Sequence, residues 1–174
     1  MSQNTKEWMK EIIIAVVIGL IIIQFIKPTI VQGHSMMPTL NERDYIFLSK
    51  QAYAFEEPQY GDIIVFHSDL TTAEGQEKML IKRIVGLPGD VIRIQDGVVF
   101  RNGEALDESY TLEHYTSTIM SDITVPEGSL FVMGDNRQGS TDSRDSEVGC
   151  IAQTRLVGKA VLRLYPFNKI GFLK

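Results

Sequence analysis

Residues 80–101 read LIKRIVGLPGDVIRIQDGVVFR, and this stretch carries the clearest structural signal in the chain. Short apolar runs alternate in it with Gly, Pro and Asp, a pattern typical of β-strands separated by tight turns. The dipeptide Asp96-Gly97 lies between the runs Val91–Gln95 and Val98–Arg101, where it favours a two-residue hairpin turn. The stretch therefore predicts antiparallel β-structure.

The same pattern recurs on both sides of this stretch, and no long amphipathic helix is predicted after residue 30. The residues from Leu106 to Asp122 are polar with scattered aromatics, which indicates an irregular part of a small insertion around residues 96–124. The predicted fold class is therefore mainly β, with an antiparallel sheet in one domain over residues 28–174. The predicted strands are Tyr45–Ser49, Asp62–His67, Leu80–Val85, Val91–Gln95, Val98–Arg101, Ser129–Met133 and Leu156–Leu164.

The N-terminal region differs from the rest, because residues 12–23 are all apolar or Gly. A membrane-spanning helix needs about 20 apolar residues, and the run reaches that length from Trp8 if Lys10 extends to the interface. We therefore predict a transmembrane anchor over residues 8–27, after a short terminus of residues 1–7. A cleaved signal peptide and a buried soluble helix are the alternatives, although no A-x-A cleavage site follows. Basic residues flank the run on both sides, so they barely determine its orientation.

Composition limits the function further. The chain has 174 residues, 44% of them hydrophobic and 22% charged, which suits one domain with a hydrophobic core. Its net charge of −5, without a basic stripe, argues against a nucleic-acid partner. The single cysteine, Cys150, excludes an internal disulfide and any multi-cysteine metal site. Motifs of P-loop, dinucleotide-binding, α/β-hydrolase and zinc-protease enzymes are absent, so we predict neither a cofactor nor a metal.

Two residues stand out as candidates for chemistry, although each has an ordinary structural interpretation. Ser35 lies in a loop after the apolar segment, and His34 beside it is a poor candidate base, because adjacent residues of an extended chain point to opposite sides. Lys82 lies within an apolar strand, where burial would lower its pKa and make it a possible general base. Alternatively, Lys82 reaches solvent from a sheet face. Lys82 and Arg83 should face opposite ways, so that one is buried while the other stays in contact with water.

Taken together and in order, four segments resemble the signature blocks of the type I (leader) signal peptidases. The resemblance covers residues 8 to about 165, and the short connection between Asp90 and Gly134 is similar to the form typical of Gram-positive bacteria. The four segments are SMMPTL at Ser35–Leu40, YGDIIVF at Tyr60–Phe66, KRIVGLPGD at Lys82–Asp90, and GDNR at Gly134–Arg137 followed by Ser140, Asp142 and Arg144.

This resemblance implies a β-rich Ser/Lys peptidase in which Ser35 is the nucleophile and Lys82 the general base. Ser140 would hydrogen-bond the lysine and orient it. One oxyanion donor would be the Ser35 N–H; some family members have a second in a serine hydroxyl where this chain has Gly33, so the second donor stays open. The residues expected to brace the site are Asp142, Arg144, Arg83 and Asp135.

The resemblance also implies a serine endopeptidase of the cell membrane that cleaves signal peptides from exported preproteins. Its partners would be these preproteins and membrane lipid, with its N-terminus cytoplasmic and its catalytic domain extracytoplasmic. Ser35 follows Lys27 by only eight residues, so the nucleophile should lie close to the bilayer. The apolar C-terminal run at residues 165–173 would touch lipid headgroups or pack on the core. A self-cleaving peptidase of the repressor type and an inactive membrane-anchored binding module are the alternatives.

Overall fold

The computed structural model of the chain describes residues 3–72 and 74–173, and its first element is the apolar helix. Helix α1 spans Gln3–Phe25, and its part Glu7–Phe25 has a mean hydropathy of 2.1, long and apolar enough to cross a membrane. None of this stretch is buried inside the protein. The alternative of a buried soluble helix is therefore wrong.

The helix ends at Phe25, two residues earlier than the predicted anchor. Pro28 disfavours helical backbone at Lys27, so the chain leaves the helix here. It enters a strand that the sequence pattern did not predict, β1 at Ile26–Ile30, whose first residue pairs with Ser49.

The remaining strands match the predicted ones closely where apolar residues are dense, and they extend beyond them elsewhere. A four-residue helix, α2, spans Ala52–Phe55. The strands are β2 Tyr45–Ser49, β3 Ile63–Thr71, β4 Glu77–Gly86, β5 Val91–Gln95, β6 Val98–Arg101, β7 Glu104–Ala105, β8 Met120–Thr124, β9 Ser129–Met133, β10 Ile151–Ala152, β11 Leu156–Tyr165 and β12 Gly171–Phe172.

Antiparallel pairing joins these strands into two sheets. The larger sheet has the order β1-β2-β11-β3-β4-β9-β10, with β12 paired to β11. The smaller sheet has the order β7-β6-β5-β8. The mainly β, antiparallel prediction behind one N-terminal helix is therefore confirmed.

The smaller sheet consists of three strands from the predicted insertion, β6, β7 and β8, and of β5, which precedes the insertion in sequence. The predicted irregular stretch is irregular only as far as Ile119, because Met120 begins β8 and pairs with Ile94 of β5. Strand β8 has mostly exposed side chains, which explains why its sequence lacks a clear apolar pattern. This sheet packs on the end of β9 through a cluster of Val85, Ile92, Ile94, Val99, Val125, Phe131 and Met133.

Candidate active site

Ser35 lies in a turn between β1 and β2 that buried neighbours hold in place. Met36 is 1% exposed and Leu40 is completely buried, and both belong to one core cluster of the larger sheet. The Leu40 N–H donates to Met36 O at 2.8 Å, which closes the turn. Ser35 itself is half-buried, so its hydroxyl remains accessible to a substrate while its backbone is held by the core.

Lys82 lies in the middle of β4, opposite Ile64 of β3. Its exposed fraction is 2%, and that of Arg83 is 3%. The expectation that one of these two side chains stays in contact with water is therefore wrong. Both are covered because they have partners on other parts of the chain: Lys82 contacts the Ser35 turn, and Arg83 pairs with Asp135.

The two candidate catalytic groups meet directly. Lys82 Nζ lies 2.8 Å from Ser35 Oγ and 2.9 Å from Ile81 O. Burial lowers the pKa of Lys82 to about 8, an effect that the nearby Asp142 carboxylate partly opposes. A buried amine with this pKa is neutral for a useful fraction of the time near neutral pH, so it is suited to accept the serine proton.

Asp142 is the acceptor at the centre of the loop beside the lysine. It is completely buried, and its Oδ2 accepts from the Gly134 N–H at 2.8 Å and from Ser140 Oγ at 2.7 Å. Arg144 Nε donates to Asp142 Oδ1 at 2.7 Å, and its Nη2 donates to Oδ2 at 2.8 Å. Burial would raise the pKa of the Asp142 carboxyl, but these donors, Arg144 first, hold it below its ordinary value. Asp142 therefore remains an anion that Arg144 neutralises.

A second bidentate pair ties the strand of the lysine to the same loop. Arg83 Nε donates to Asp135 Oδ1 at 2.9 Å, and Arg83 Nη2 donates to Asp135 Oδ2 at 2.8 Å. Thr39 Oγ1 also donates to Asp135 Oδ2, at 2.5 Å, which brings the Ser35 turn into this network. Charges buried to this extent need such pairing, because an unpaired one would be costly.

The structure thus brings all seven predicted site residues into one region, but it leaves one predicted contact undecided. The Ser140 hydroxyl donates a hydrogen bond to Asp142, and Lys82 Nζ is hydrogen-bonded to Ser35 Oγ and Ile81 O. The hydrogen bond between Ser140 and Lys82 therefore stays a prediction. His34 lies apart from this network: its Nε2 is 3.8 Å from an oxygen of Glu42, and the His34 side chain is 62% exposed.

Asn136 lies in the GDNR segment, but the sequence analysis assigns it no role. Its backbone N–H donates to Ser35 O at 3.0 Å, and its Nδ2 donates to His34 O at 3.2 Å. Gly134 was likewise given no role, yet a Cβ there would overlap the Ser140 side chain and come within 2.5 Å of Ser35 O. The position of both residues in the GDNR segment, four to six residues before Ser140, is the only sequence signal for these contacts.

Metal-ligating side chains do not cluster in the described part of the chain. Over residues 3–72 and 74–173, no group of three or more His, Cys, Asp or Glu side chains is placed to hold a metal ion. Cys150 is a free, half-buried thiol, and burial raises its pKa.

A β-domain that follows an apolar helix and pairs a serine hydroxyl with a buried amine has the architecture of a membrane-associated serine hydrolase. The family model described as "Signal peptidase, peptidase S26" matches residues 5–165. The chain therefore belongs to the signal peptidase family S26.

Two relatives in sequence agree with this assignment. The chain is 37% identical to the probable signal peptidase I-1 of Synechocystis over 98% of its own length and 88% of that protein. It is 38% identical to the signal peptidase I of Bacillus licheniformis over 97% of its own length and 95% of that protein. It also matches a crystal structure of a signal peptidase I from Enterococcus faecalis V583, with 32% identity, a TM-score of 0.49, and coverage of 60% of this chain and 97% of that one.

Proposed function

We propose that this protein is a membrane-bound serine endopeptidase that removes signal peptides from exported preproteins, with Ser35 as nucleophile and Lys82 as general base. The observation that carries the proposal is the 2.8 Å contact between Lys82 Nζ and Ser35 Oγ, with the lysine 2% exposed. Membership of the signal peptidase family supports the activity, and the contact supports the assignment of these two residues.

The reaction follows from the chemistry of the two groups. Neutral Lys82 takes the Ser35 proton as Oγ attacks the carbonyl carbon of the scissile peptide, which produces a tetrahedral oxyanion. As this intermediate collapses, the lysine ammonium returns the proton to the leaving amine, and the mature protein departs with a new N-terminus. Water then attacks the acyl-enzyme while Lys82 accepts its proton. That proton passes back to Ser35 Oγ as the ester breaks, which releases the signal peptide and restores the site.

The lowered pKa is what makes this lysine an effective base. With the usual pKa near 10.4, only about 0.1% of a lysine is neutral near pH 7.5. With a pKa of about 8, roughly a quarter is neutral at the same pH. The paired Asp142–Arg144 and Arg83–Asp135 groups have no net charge as pairs, so they hold the loop without strongly stabilising the ammonium form.

The oxyanion needs hydrogen-bond donors, each worth about 3–4 kcal/mol in the transition state. The Ser35 N–H is the proposed first donor. Gly33 is exposed and has a φ of +80°, a conformation that suits glycine in a turn. It has no side-chain hydroxyl, so the second donor is a different group. The proposed substrate is an extended segment that adds to a sheet edge, with small side chains at the first and third positions before the cut.

The chain leaves its anchor beside the β-domain, which supports a position of the domain at the membrane surface. The Lys50 N–H donates to Phe25 O at 2.9 Å, and Lys50 Nζ donates to Ile23 O at 3.0 Å. Lys50 thereby satisfies carbonyls at the last turn of the helix, where a cation is favourable. Phe55, five residues after Lys50 in sequence, is 86% exposed, so its aromatic side chain is free to contact lipid.

We therefore propose that Phe55 touches the headgroup region of the bilayer, with the N-terminus cytoplasmic and the catalytic domain on the outer side. A Phe55→Trp variant in a Trp8→Phe background tests the contact, since Trp8 is the only native tryptophan. Lipids brominated near the headgroup should quench its fluorescence. Ile119→Trp is the matched control, because Ile119 is also 86% exposed but lies in the insertion. Equal quenching of the two tryptophans would contradict the contact, and protease protection in oriented vesicles tests the orientation.

The activity itself is tested by incubating the detergent-solubilised full chain with a preprotein and sequencing the new N-terminus. Cleavage directly after the signal peptide is expected, and Ser35→Ala protein purified in parallel should produce none. An intact preprotein after prolonged incubation with folded wild-type enzyme would refute the proposed function.

A further inference from the structure

We propose that Glu108 and Arg137 are positioning residues, through which the insertion clamps the loop 134–144 against Ser35 and Lys82. The inference rests on the proposed function in one respect, namely that Lys82 is the base. Neither residue touches the reacting groups. Their role follows from a chain of buried contacts that begins in the insertion and ends at the Ser35 turn.

The first contact is a buried bidentate ion pair. Arg137 Nη2 donates to Glu108 Oε1 at 2.6 Å, and Arg137 Nη1 donates to Glu108 Oε2 at 2.8 Å. The Arg137 side chain is 1% exposed and that of Glu108 is 13% exposed. A guanidinium and a carboxylate in this fork geometry hold both position and orientation, unlike a single surface contact.

The second contact joins the same guanidinium to the loop beside the lysine. Arg137 Nε donates to Gly134 O at 2.9 Å, while its Nη1 also donates to Thr116 Oγ1 of the insertion at 3.2 Å. Gly134 in turn donates its N–H to Asp142 and lies directly against Ser140 and the Ser35 carbonyl. Arg137 thus connects the insertion to Gly134, the residue through which the loop lies against the Ser35 carbonyl.

Tyr110 and Leu112 form a parallel connection between the insertion and the loop. The Tyr110 ring lies 4.3 Å from the Arg83 guanidinium carbon and 5.9 Å from that of Arg137. The Leu112 N–H donates to Asp135 O at 3.0 Å. The insertion therefore contacts Arg83 and Arg137, two of the arginines that hold the loop.

The consequence concerns the access of water to Lys82. The charged groups that act on Lys82 directly are Asp142, Arg144 and Asp135 of the loop and Lys78 of its own strand. Burial is the largest cause of the lowered pKa of Lys82, so a loosened loop that admits water should raise that pKa. Loss of the Glu108 negative charge acting through space alone would lower it. The direction of the change therefore separates positioning from a long-range charge effect.

The experiment compares Glu108→Gln, which keeps the size of the side chain and removes its charge, with Glu108→Asp, which keeps the charge. Val99→Ala is the matched control, because Val99 is fully buried in the core of the small sheet and lies outside the clamp. For each full-length variant, kcat/KM is measured against pH with a preprotein. The Lys82 amine is titrated by NMR of isotope-labelled lysine, with the signal assigned by its absence in Lys82→Met.

We expect Glu108→Gln to move the acid limb of kcat/KM upward by about one pH unit, which is about a tenfold loss near pH 7 that recovers near pH 10. Glu108→Asp should restore most of the native profile, and the NMR titration should follow the same order. Val99→Ala should lower the melting temperature and leave the acid limb in place.

The opposite results are equally specific. A uniform loss of activity at every pH, with the acid limb and the Lys82 titration unchanged, would reduce Glu108 to a structural role and overturn the proposal. If Glu108→Gln does not fold, Thr116→Val removes another contact of the same guanidinium and should also raise the pKa of Lys82; an unchanged Lys82 titration in that variant would overturn the proposal. If wild-type protein cleaves no preprotein, the proposed function fails, whereas the NMR titrations still show whether the clamp keeps water from Lys82.

Discussion

Replacement of Lys82 by Met should abolish cleavage and, near neutral pH, make the protein more stable. The lysine is 2% exposed, and its pKa falls from 10.5 to about 8 on folding. The folded state therefore disfavours the charged amine by about 3 kcal/mol below pH 8. Met keeps the apolar stem and removes that cost, while it loses two hydrogen bonds worth about 0.5–1.5 kcal/mol each. The net gain near pH 7 is about 1–2 kcal/mol.

The sign of the effect changes with pH, which makes the prediction easy to test. Between about pH 8 and 10.5, the unfolded wild-type chain binds more protons at Lys82 than the folded one. The free energy of unfolding of the wild type therefore rises through this range, and the advantage of the variant disappears. Above that range Lys82→Met should be less stable, because only the lost hydrogen bonds remain.

The assay is thermal unfolding of both proteins in detergent at several pH values, together with the pH profile of wild-type kcat/KM. For a chain of this size, 1 kcal/mol corresponds to about 2–4 °C, so the difference in Tm should change by roughly 6–12 °C across the range. The acid limb of wild-type kcat/KM should lie near pH 8. A Tm difference that does not vary with pH would refute the burial argument. An acid limb near pH 6.5 that disappears in His34→Gln would transfer the role of base to His34.

Four further outcomes follow from the site. Ser35→Ala should lose all cleavage and lower Tm by about 1–6 °C, because it removes one hydrogen bond, from Lys82 Nζ, worth about 0.5–1.5 kcal/mol; residual activity that follows the purified variant would count against the nucleophile. Asp142→Ala should lower the free energy of unfolding by about 3–5 kcal/mol, since Arg144, with its side chain 5% exposed, would be a buried charge without its partner; an unchanged Tm would contradict the bracing role. Gly134→Ala should cost about 1–3 kcal/mol and reduce kcat, because the added Cβ overlaps Ser140 and crowds Ser35 O; native kcat would show that the loop has room. Chelators should leave cleavage unchanged, and strong inhibition by EDTA would overturn the Ser/Lys chemistry.

Local sequence signals predicted the elements whose formation depends on few residues. The Asp96-Gly97 turn has φ values of 53° and 82° at its two residues, and this pair of conformations suits Asp and Gly. The apolar run forms helix α1 because a helix satisfies the backbone hydrogen bonds of an apolar segment within the segment itself. Dense apolar runs likewise predicted the buried strands β3, β4 and β9.

The sequence pattern did not predict strands β1 and β8, because neither has a buried apolar face of its own. Lys27-Pro28 in β1 looks like a flank of the anchor, and β8 is mostly exposed. Their pairing partners, β2 and β5, supply the hydrogen bonds that make them strands. Pairing between distant segments has no local signature, so these strands require the assembled sheets.

The candidate active site likewise combines features that the sequence predicts with features that only the tertiary structure decides. The order of the four segments pointed to Ser35 and Lys82, but 47 residues separate them in sequence. Only the folded sheet, together with the core that holds the Ser35 turn, places their side chains 2.8 Å apart. Strand alternation predicted that one of Lys82 and Arg83 would contact water. Both are buried, because other parts of the chain cover both faces of β4 here. Glu108 and Arg137 are 29 residues apart, and nothing in the polar sequence around Glu108 distinguishes it from a solvated charge. Their ion pair exists because the folded insertion lies on the loop, and such long-range contacts form only when the tertiary structure excludes water from both partners.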